Sequence, residues 1–357
     1  MISSVVIYFS AFGASLYFSS LYKKAKSIIG KLLSFVLLAA PTVLISSLRY
    51  GIGTDYFGYL EVYNTIHVRL DWSSLFSFYQ EPSWVAINLL ATDYYQVLLV
   101  SSIIYSLFIF LSISRCRKKI GITFPLFISY MVFYCLSFNG IRQAIAAAIL
   151  LFGITFLLNK KSLWDYCAFF LLVLLASTFH KSVLLFSLVF VFSFFKKNKV
   201  SLVLATIGIT SLAVVLLRSY LVSLLARLNI YSSYLGTESH EGLGFLLYIL
   251  PVLIPCAYLV SASKNKDDDL FLLLRIYVLQ IPLQILGIFI SYADRLAEYS
   301  LITQILFVPM VVSTVKDSKR DMTKLYFIAW YIFYFFVMFV FLGSNGAFPY
   351  ESILSSK

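Results

Sequence analysis

Charged residues are scarce in this chain. They make up 12% of its 357 residues, whereas a soluble globular domain carries about 25%. Hydrophobic residues make up 61%, and the mean hydropathy is +0.91. Because a soluble domain of this length needs far more charge on its surface, the composition excludes a soluble protein and predicts one that lies in a lipid bilayer.

Cysteine and histidine are few as well, with four and three copies. No two cysteines have the CxxC spacing, and three of them lie in apolar runs. We therefore expect free thiols, no disulfide, no metal site and no cofactor. An aspartate triplet at 267–269 has the spacing used by metal-dependent sugar transferases, but it adjoins lysines and is better interpreted as a solvated charge run.

Acidic residues are in the minority, and the formal net charge is +12. The basic residues are not gathered on one soluble face, so the charge does not predict a nucleic-acid partner. They separate the apolar runs instead, as the positive-inside rule describes. This pattern therefore predicts a protein that lies in a lipid bilayer.

The chain does contain a series of twelve apolar runs. A transmembrane helix needs roughly 20 apolar residues, and the run 182–195 is notably short. The sequence therefore predicts an all-α, polytopic integral membrane protein of about 12 transmembrane helices, which forms a single domain over residues 1–357. The runs cover residues 2–22, 32–48, 94–114, 122–138, 143–158, 163–179, 182–195, 200–217, 243–262, 270–291, 299–315 and 325–342.

Lysine and arginine are divided unequally between alternate connections, with 19 in one set and 8 in the other. The richer set is predicted to be cytoplasmic, which places both termini outside. Basic residues follow the first run rather than precede it, so we interpret this run as a retained helix and not as a signal peptide. Two extracytoplasmic loops, 49–93 and 218–242, are long, and long ordered loops are usually functional.

An arginine between two apolar runs is the most informative feature of the chain. Arg142 lies in a very short outer turn, with Asn139 and Gln143 on either side. The planar donor group of arginine can hold a phosphate, and the flanking amides indicate a polar pocket rather than lipid. The alternative is an interfacial arginine that only ends a helix.

A glycine-rich outer loop begins at Arg49 and contains Asp55 and Tyr56. Exposed backbone N–H groups beside an arginine are suited to binding an anion. Asp55 offers a carboxylate for a proton or a sugar hydroxyl, and Tyr56 offers a ring that can stack on a sugar. The alternative is a glycine-rich loop without a functional role, in which Arg49 only snorkels to the membrane surface.

Two more polar positions are predicted on the same face. His180 joins two spans, and histidine is a natural general acid or base near neutral pH. Asp294 and Arg295 form the second position, with Glu298 one turn away. The alternatives are a structural interfacial histidine and a simple ion pair of Arg295 with Asp294 or Glu298.

These segments follow one another in a characteristic order. It reads Arg-Tyr-Gly-Ile-Gly-Thr-Asp-Tyr at 49–56, Glu81-Pro82, Asn139-x-x-Arg142-Gln143, Phe179-His180-Lys181-Ser182, Asp294-Arg295-Leu296-x-x-Tyr299 and Pro349-Tyr350. The order resembles that of the EpsG-like family of Wzy-type polysaccharide polymerases, over most of the chain. The resemblance implies a multi-pass protein of the bacterial cytoplasmic membrane that joins undecaprenyl-pyrophosphate-linked oligosaccharide repeat units on the outer face. It also implies a chain-length regulator and a flippase of the same pathway as partners.

In that reaction a pyrophosphate leaves, and we expect Arg142, Arg295 and Arg49 to hold it, because prearranged cations stabilise developing negative charge. We expect His180 to be the general base, ahead of Asp55 and Glu81, because its unperturbed pKa of about 6.5 lies nearest the working pH. The other predicted substrate-binding residues are Asn139, Gln143, Tyr56, Glu81 and Asp294.

Other functions stay open at this point. A flippase or another transporter is less favoured, because transport usually needs ionisable groups near the membrane midplane, whereas the charged candidates crowd one face. A polysaccharide ligase shares the pyrophosphate leaving group, and charge does not exclude it. An O-acyltransferase would need a thioester or phospholipid donor, for which His180 alone is poor support.

Overall fold

The computed structural model describes residues 2–69, 71–76, 78, 80–158, 162–195, 199–227, 243–263, 267–290 and 293–354. Within these ranges the regular structure is helical, and the single β-type pairing is an isolated antiparallel bridge between Arg49 and Ser352. The prediction of an all-α polytopic membrane protein is confirmed. Residues 228–242, which make up most of the second predicted outer loop, lie outside the described ranges.

Every predicted apolar run coincides with an apolar helical segment among the described residues. Six segments are long and apolar enough to cross a membrane by length and composition: Ile2–Lys24, Ile28–Ser47, Tyr94–Ile120, Asp268–Phe289, Ala293–Thr314 and Asp317–Phe341. The remaining runs form shorter apolar helices: Thr123–Phe133, Ile141–Leu157, Leu163–Ser177, Lys181–Phe194, Val200–Leu216 and Leu246–Ala262.

The α-helices are numbered in chain order as α1 Ile2–Lys24, α2 Ile28–Ser47, α3 Tyr56–Arg69, α4 Pro82–Leu90, α5 Tyr94–Ile120, α6 Thr123–Ile128, α7 Ile141–Leu157, α8 Leu163–Ser177, α9 Val200–Leu216, α10 Arg218–Arg227, α11 Leu246–Ala262, α12 Asp268–Val278, α13 Gln280–Phe289, α14 Glu298–Leu301, α15 Gln304–Thr314 and α16 Asp317–Phe335. Helices α6 and α16 continue as π-helical turns, Ser129–Phe133 and Phe336–Phe341. Short 3₁₀ turns cover Trp72–Ser74, Leu136–Phe138, Leu243–Phe245, Ala293–Ala297 and Ser344–Gly346.

Local sequence sets both ends of α5. Asp93 precedes the helix, and its carboxylate accepts a hydrogen bond from the backbone N–H of Gln96 at 2.9 Å, which satisfies a donor that the first turn leaves unpaired. Gly121 ends the helix with a φ of 71°, a conformation that favours glycine. Basic residues occupy the last turn, where the helix dipole favours positive charge. The residues that the charge count assigns to the cytoplasm thus lie at the opposite end of α5 from loop 49–93.

The segment Lys181–Phe194 is a 3₁₀ helix of 14 residues. A 3₁₀ helix rises about 2.0 Å per residue, against about 1.5 Å in an α-helix. The segment therefore extends about 28 Å, close to the roughly 30 Å of a hydrocarbon core, where an α-helix of equal length would reach about 21 Å. The stretched geometry accounts for the short predicted run 182–195.

The chain packs as two compact units. The first consists of Met1–Thr155, Phe170–Leu184 and Ile328–Lys357, and the second of Phe156–Phe169 and Leu185–Phe327. Both are built from apolar helices. The expectation of a single membrane domain stays a prediction.

Aromatic side chains fill the core of the first unit. The rings of Tyr8 and Phe12 on α1 pack against Tyr134 and Phe138, with a centroid distance of 6.3 Å between Tyr8 and Phe138 and of 5.2 Å between Phe12 and Tyr134. Tyr8 and Phe138 are completely buried. Edge-on and tilted ring pairs of this kind add stability beyond their burial. Because Phe138 directly precedes the turn 139–142, this core holds that turn in place.

Segments far apart in the sequence meet at one end of the first unit. The backbone N–H of Tyr350 donates to Ser4 Oγ at 2.9 Å, and the Tyr350 hydroxyl donates to the carbonyl of Ile45 at 3.0 Å. At the other end of α1, Lys23 Nζ donates to Thr123 Oγ1 at 3.2 Å. Ser4 and Ile45 lie at the predicted outer ends of their apolar runs, whereas Lys23 follows its run on the predicted cytoplasmic side; the topology itself stays a prediction.

Close packing fixes a turn of the second unit. A Cβ atom on Gly287 of α13 would lie 2.6 Å from the Cβ of Asp294, so only glycine fits there. In the same unit, Tyr277 of α12 stacks on Phe307 of α15 with a centroid distance of 5.3 Å. The 3₁₀ turn that carries Asp294 and Arg295 is thereby held against α13.

Candidate functional site at one end of the first unit

The turn 139–142 is the centre around which the predicted residues of the first unit gather. Gly140 has a φ of 46°, in the left-handed region that favours glycine, and α7 begins at the next residue. The backbone N–H of Gly140 donates to Asp55 Oδ2 at 3.2 Å. This bond joins the glycine-rich loop after α2 to the start of α7.

Arg142, two residues after Gly140, forms an ion pair with Glu81. The two side chains are 21% and 10% exposed. The second carboxylate oxygen of Glu81 accepts the backbone N–H of Lys181 at 3.2 Å. Glu81 therefore joins the start of α7 to the segment that follows α8, which are 61 and 100 residues away in the sequence.

Helix α4 places Glu81 in this position. Glu81 is the residue before the helix, and Pro82 occupies its first turn, where a missing N–H costs nothing. Ser83 is bound to Thr178 twice, through its backbone N–H to the carbonyl at 3.0 Å and through the two hydroxyls at 2.6 Å. The start of α4 is therefore fixed beside the end of α8.

His180 lies in the same segment as Lys181 and is half-buried. Its Nδ1 is 2.7 Å from Ser182 Oγ. In the tautomer that carries its proton on Nδ1, the Nδ1–H donates a hydrogen bond to the hydroxyl, and Nε2 is the basic nitrogen. The geometry thus suits a general base whose ring is oriented by a neighbouring hydroxyl.

Asn139 joins the turn to a segment that the sequence interpretation did not include. Its Nδ2 donates to Asn345 Oδ1 at 2.8 Å, and its buried Oδ1 has no hydrogen-bond partner among the described residues. A Cβ atom on Gly53 would lie 2.9 Å from both this Oδ1 and the carbonyl oxygen of Phe138. The backbone N–H of Gly53 donates to Gly346 at 3.2 Å. Residues 345 and 346 therefore complete this side of the site.

Arg49 is buried beneath the loop, with 2% of its surface exposed. Its guanidinium donates to the carbonyl and the hydroxyl of Ser46 at 2.7 and 2.9 Å and lies 4.6 Å from the ring centroid of Phe138. Burial lowers the pKa of Arg49, and nearby tyrosines offset part of this shift. The side chain turns back towards α2 instead of reaching solvent, so the snorkelling alternative does not describe it.

Arg49 also borders a small cleft with room for about one water molecule. Serine and tyrosine hydroxyls on α5 line much of it, among them Ser101, Ser102 and Tyr105. These residues are not among the site residues that the sequence predicts. Their signal was a set of hydroxyls at helical spacing on α5, opposite Ser46 of α2.

Two predicted substrate-binding residues are enclosed. Tyr56 is 1% exposed and packs edge-on against Tyr94 at 5.2 Å, and Gln143 is 3% exposed. In this structure Tyr56 supports the glycine-rich loop from below.

Asp294 and Arg295 belong to the second unit, where both are half-buried in the 3₁₀ turn Ala293–Ala297. The expectation that Arg295 holds the same pyrophosphate as Arg142 stays a prediction. Among the described residues, no three histidine, cysteine, aspartate or glutamate side chains are grouped so that they could hold a metal ion.

Comparison with known proteins gives one match. A family model described as the EpsG family matches residues 32–352, a range that includes every predicted site residue. No curated protein and no solved structure matches the chain.

Proposed function

Because the chain belongs to the EpsG family, we propose that it is a polysaccharide polymerase, a membrane glycosyltransferase of the bacterial cytoplasmic membrane. Its substrates are undecaprenyl-pyrophosphate-linked oligosaccharide repeat units, which it joins on the outer face. The bond between the sugar C1 and the pyrophosphate oxygen breaks. The acceptor hydroxyl oxygen bonds to that C1, its proton passes to a base, and the lipid pyrophosphate leaves.

The proposed topology has twelve spans with both termini outside. Two observations support it. The N-terminal part of α1, the loop after α2 and the segment around Tyr350 meet at one end of the first unit. The stretched geometry of Lys181–Phe194 gives a 14-residue segment nearly the length of a span.

One observation carries the catalytic proposal: three predicted residues, Asp55, Glu81 and Arg142, meet around the turn 139–142, and the fourth, His180, is next to Lys181, whose backbone is bound to Glu81. Asp55 is bound to Gly140, and Glu81 is bound to both Arg142 and Lys181, the neighbour of His180. Carboxylates, a histidine and an arginine at one place provide both a base and a cation. Glycosyl transfer from a pyrophosphate needs these two functions.

Arg142 holds the departing pyrophosphate in this proposal. Its guanidinium is bound to Glu81, and its buried Nε has no partner among the described residues. A pyrophosphate oxygen that enters beside Arg142 competes with Glu81 for the same planar group of donors. Removing one such donor from a transition state costs about 3–4 kcal/mol. Arg295 and Arg49 remain the other proposed cations.

His180 is the proposed base, and Asp55 holds the acceptor hydroxyls. The contact between Nδ1 of His180 and Ser182 supports this assignment, because it can fix the tautomer in which Nε2 accepts a proton. The carboxylate of Asp55 is oriented by Gly140 and is half-exposed, which suits binding of a hydroxyl. Glu81 is bound by two donors and is the third candidate for the base.

A deletion strain tests the function. We expect surface glycan capped with a single repeat unit in the strain, and long polymer again after complementation. Lipid-linked units trapped on the cytoplasmic side would indicate a flippase instead. Long polymer retained on the carrier lipid would indicate a ligase.

Two partners of the same pathway belong to the proposal, a flippase that supplies the lipid-linked units and a chain-length regulator. Isolation of the protein from native membranes in mild detergent, followed by mass spectrometry, tests whether either co-purifies. Recovery of the chain alone under conditions that preserve other membrane complexes would contradict a stable association.

A further inference from the structure

Lys181 is the first residue of the 3₁₀ helix Lys181–Phe194. Its backbone N–H donates to Glu81 Oε1 at 3.2 Å, while the other carboxylate oxygen of Glu81 is bound to Arg142. A single carboxylate therefore lies between the start of the 3₁₀ helix and the first turn of α7, which carries Arg142. Lys181 and Arg142 are thus joined through one carboxyl group.

The side chain of Lys181 is exposed, in contrast to its bound backbone. Its ammonium group has no ion-pair or hydrogen-bond partner among the described residues. Lysine carries a compact charge on a flexible four-carbon stem. The bond to Glu81 therefore fixes where the side chain begins and leaves its charge available for a ligand.

The charges beside Arg142 decide whether a pyrophosphate can bind there. Two carboxylates are held at this place, because Asp55 is bound to the backbone of the turn before α7 and Glu81 pairs with Arg142. Arg142 alone leaves these carboxylates in excess, and negative charge repels a multiply charged pyrophosphate. Lys181 restores the balance, since its ammonium group adds a second positive charge beside Glu81.

The other cationic candidates do not supply this charge in the same way. Arg49 is buried beneath the loop, and its guanidinium donates to a serine of α2. His180 is neutral when it serves as the base. Arg295 belongs to the second unit. Among the described residues, Lys181 is therefore the one that can bring a second, exposed positive charge to Glu81.

We propose that Lys181 is a substrate-binding residue whose ammonium group pairs with the pyrophosphate that Arg142 holds. The inference rests on the proposed polymerase function and adds a cation to its site. The two residues bind differently, because Arg142 offers paired donors in one plane and Lys181 offers a point charge that follows the pyrophosphate oxygens. Before the substrate binds, Glu81 lies between the two cations and lowers their mutual repulsion.

Equilibrium binding of radiolabelled polyprenyl pyrophosphate to the purified full-length protein in detergent tests this role without turnover. Lys181→Gln removes the charge at similar side-chain length, and Lys181→Arg keeps it. Neither substitution removes the backbone N–H that is bound to Glu81, so both variants should unfold thermally like the parent protein. Lys118→Gln is the matched control, because Lys118 is an exposed lysine in the last turn of α5.

We expect Lys181→Gln to weaken binding about tenfold, Lys181→Arg to stay within about threefold of the parent protein, and Lys118→Gln to match it. The affinity of Lys181→Gln should also fall less steeply with salt concentration, because an exposed contact between charges is lost.

Parent-like affinity and salt dependence in Lys181→Gln would overturn the inference and leave Lys181 as a lysine that only anchors a helix at the membrane surface. Absence of binding by the parent protein would overturn it as well. The deletion strain decides the polymerase function independently, so either result would remove the role of Lys181 without removing that function.

Discussion

Two arginines at the same end of the first unit occupy opposite environments. Arg142 is partly exposed and bound to Glu81, whereas Arg49 is buried, bound to Ser46, and has no carboxylate partner among the described residues. In the sequence the two arginines look alike. Arg49 follows an apolar run, Arg142 precedes one, and each has a glycine two residues away. The difference teaches that arginines with similar sequence surroundings can differ in side-chain direction, and that the accessible one, bound to a carboxylate, is the better placed of the two to exchange its partner for a substrate anion.

Replacement of Arg142 should have the largest effect on activity. Arg142→Lys keeps the charge but removes the planar donor group, so we expect polymer formation to fall by about 10²–10³-fold, towards single repeat units. Gel analysis of surface glycan from a complemented deletion strain measures this. The control is Arg117→Lys, which changes an exposed arginine in the last turn of α5. Full polymer length and yield in Arg142→Lys would remove Arg142 from the proposed clamp.

Glu81→Gln tests whether Arg142 can exchange its partner. The variant replaces the carboxylate that pairs with Arg142 by a neutral amide, and we expect a loss of about 1.5–3 kcal/mol in the free energy of unfolding. It also removes the competitor for Arg142, so pyrophosphate binding should become tighter. Thermal unfolding and equilibrium binding, measured on the same preparation, separate the two effects. Weaker binding in this variant would mean that Glu81 takes part in holding the substrate.

Gly53→Ala tests the contact between the loop of Arg49 and the turn of Arg142. Gly53 has a φ of 101° and no space for a Cβ atom beside the Phe138 carbonyl, which is 2.9 Å from its ideal position. We expect a loss of about 1–3 kcal/mol in the free energy of unfolding.

The matched control for this variant is Gly58→Ala in α3, where nothing lies within 4 Å. Alanine is the better helix former, so this control should gain about 0.5–1 kcal/mol. Thermal unfolding in detergent measures both variants, and equal behaviour of the two would contradict the close approach at Gly53.

Tyr350→Phe should have the smallest effect, and it should disturb only the region of α2 and the loop around Arg49. It removes the hydrogen bond to the carbonyl of Ile45, which is 3.0 Å long, and we expect a loss of about 0.5–1.5 kcal/mol in the free energy of unfolding. Polymer length should stay unchanged, because Arg142 and Glu81 keep their contacts. A shortened polymer would show that the two arginine regions act together.

Much of the fold could be predicted because apolar runs and basic connections are strong signals in a membrane protein. The run 182–195 is instructive: it was predicted as a short span, and the 3₁₀ geometry of Lys181–Phe194 accounts for its length. The sequence could not specify that geometry, since helix type depends on packing over the whole segment.

The candidate site was predicted in part. The residue types at 55, 81, 142 and 180 predict chemistry, and the structure joins Asp55, Glu81 and Arg142 around one turn with His180 in the adjoining segment, whereas their roles stay predictions. The direction of the Arg49 side chain could not be predicted, because an arginine at the end of a span can turn outward or inward. Asn345 carried no signal either, since its partner Asn139 lies 206 residues away.

The contacts of residues 345–353 have a consequence for the order of assembly. The segment follows the span Asp317–Phe341, yet it is bound to the loop that follows α2: Gly346 accepts the N–H of Gly53, and Ile353 donates to Leu48. During synthesis the loop leaves the ribosome well before the segment that completes it, because about 290 residues separate the two along the chain. The candidate site can therefore close only after every helix between the two has entered the membrane in its correct orientation. A misinserted chain would carry all of the predicted residues without assembling the site.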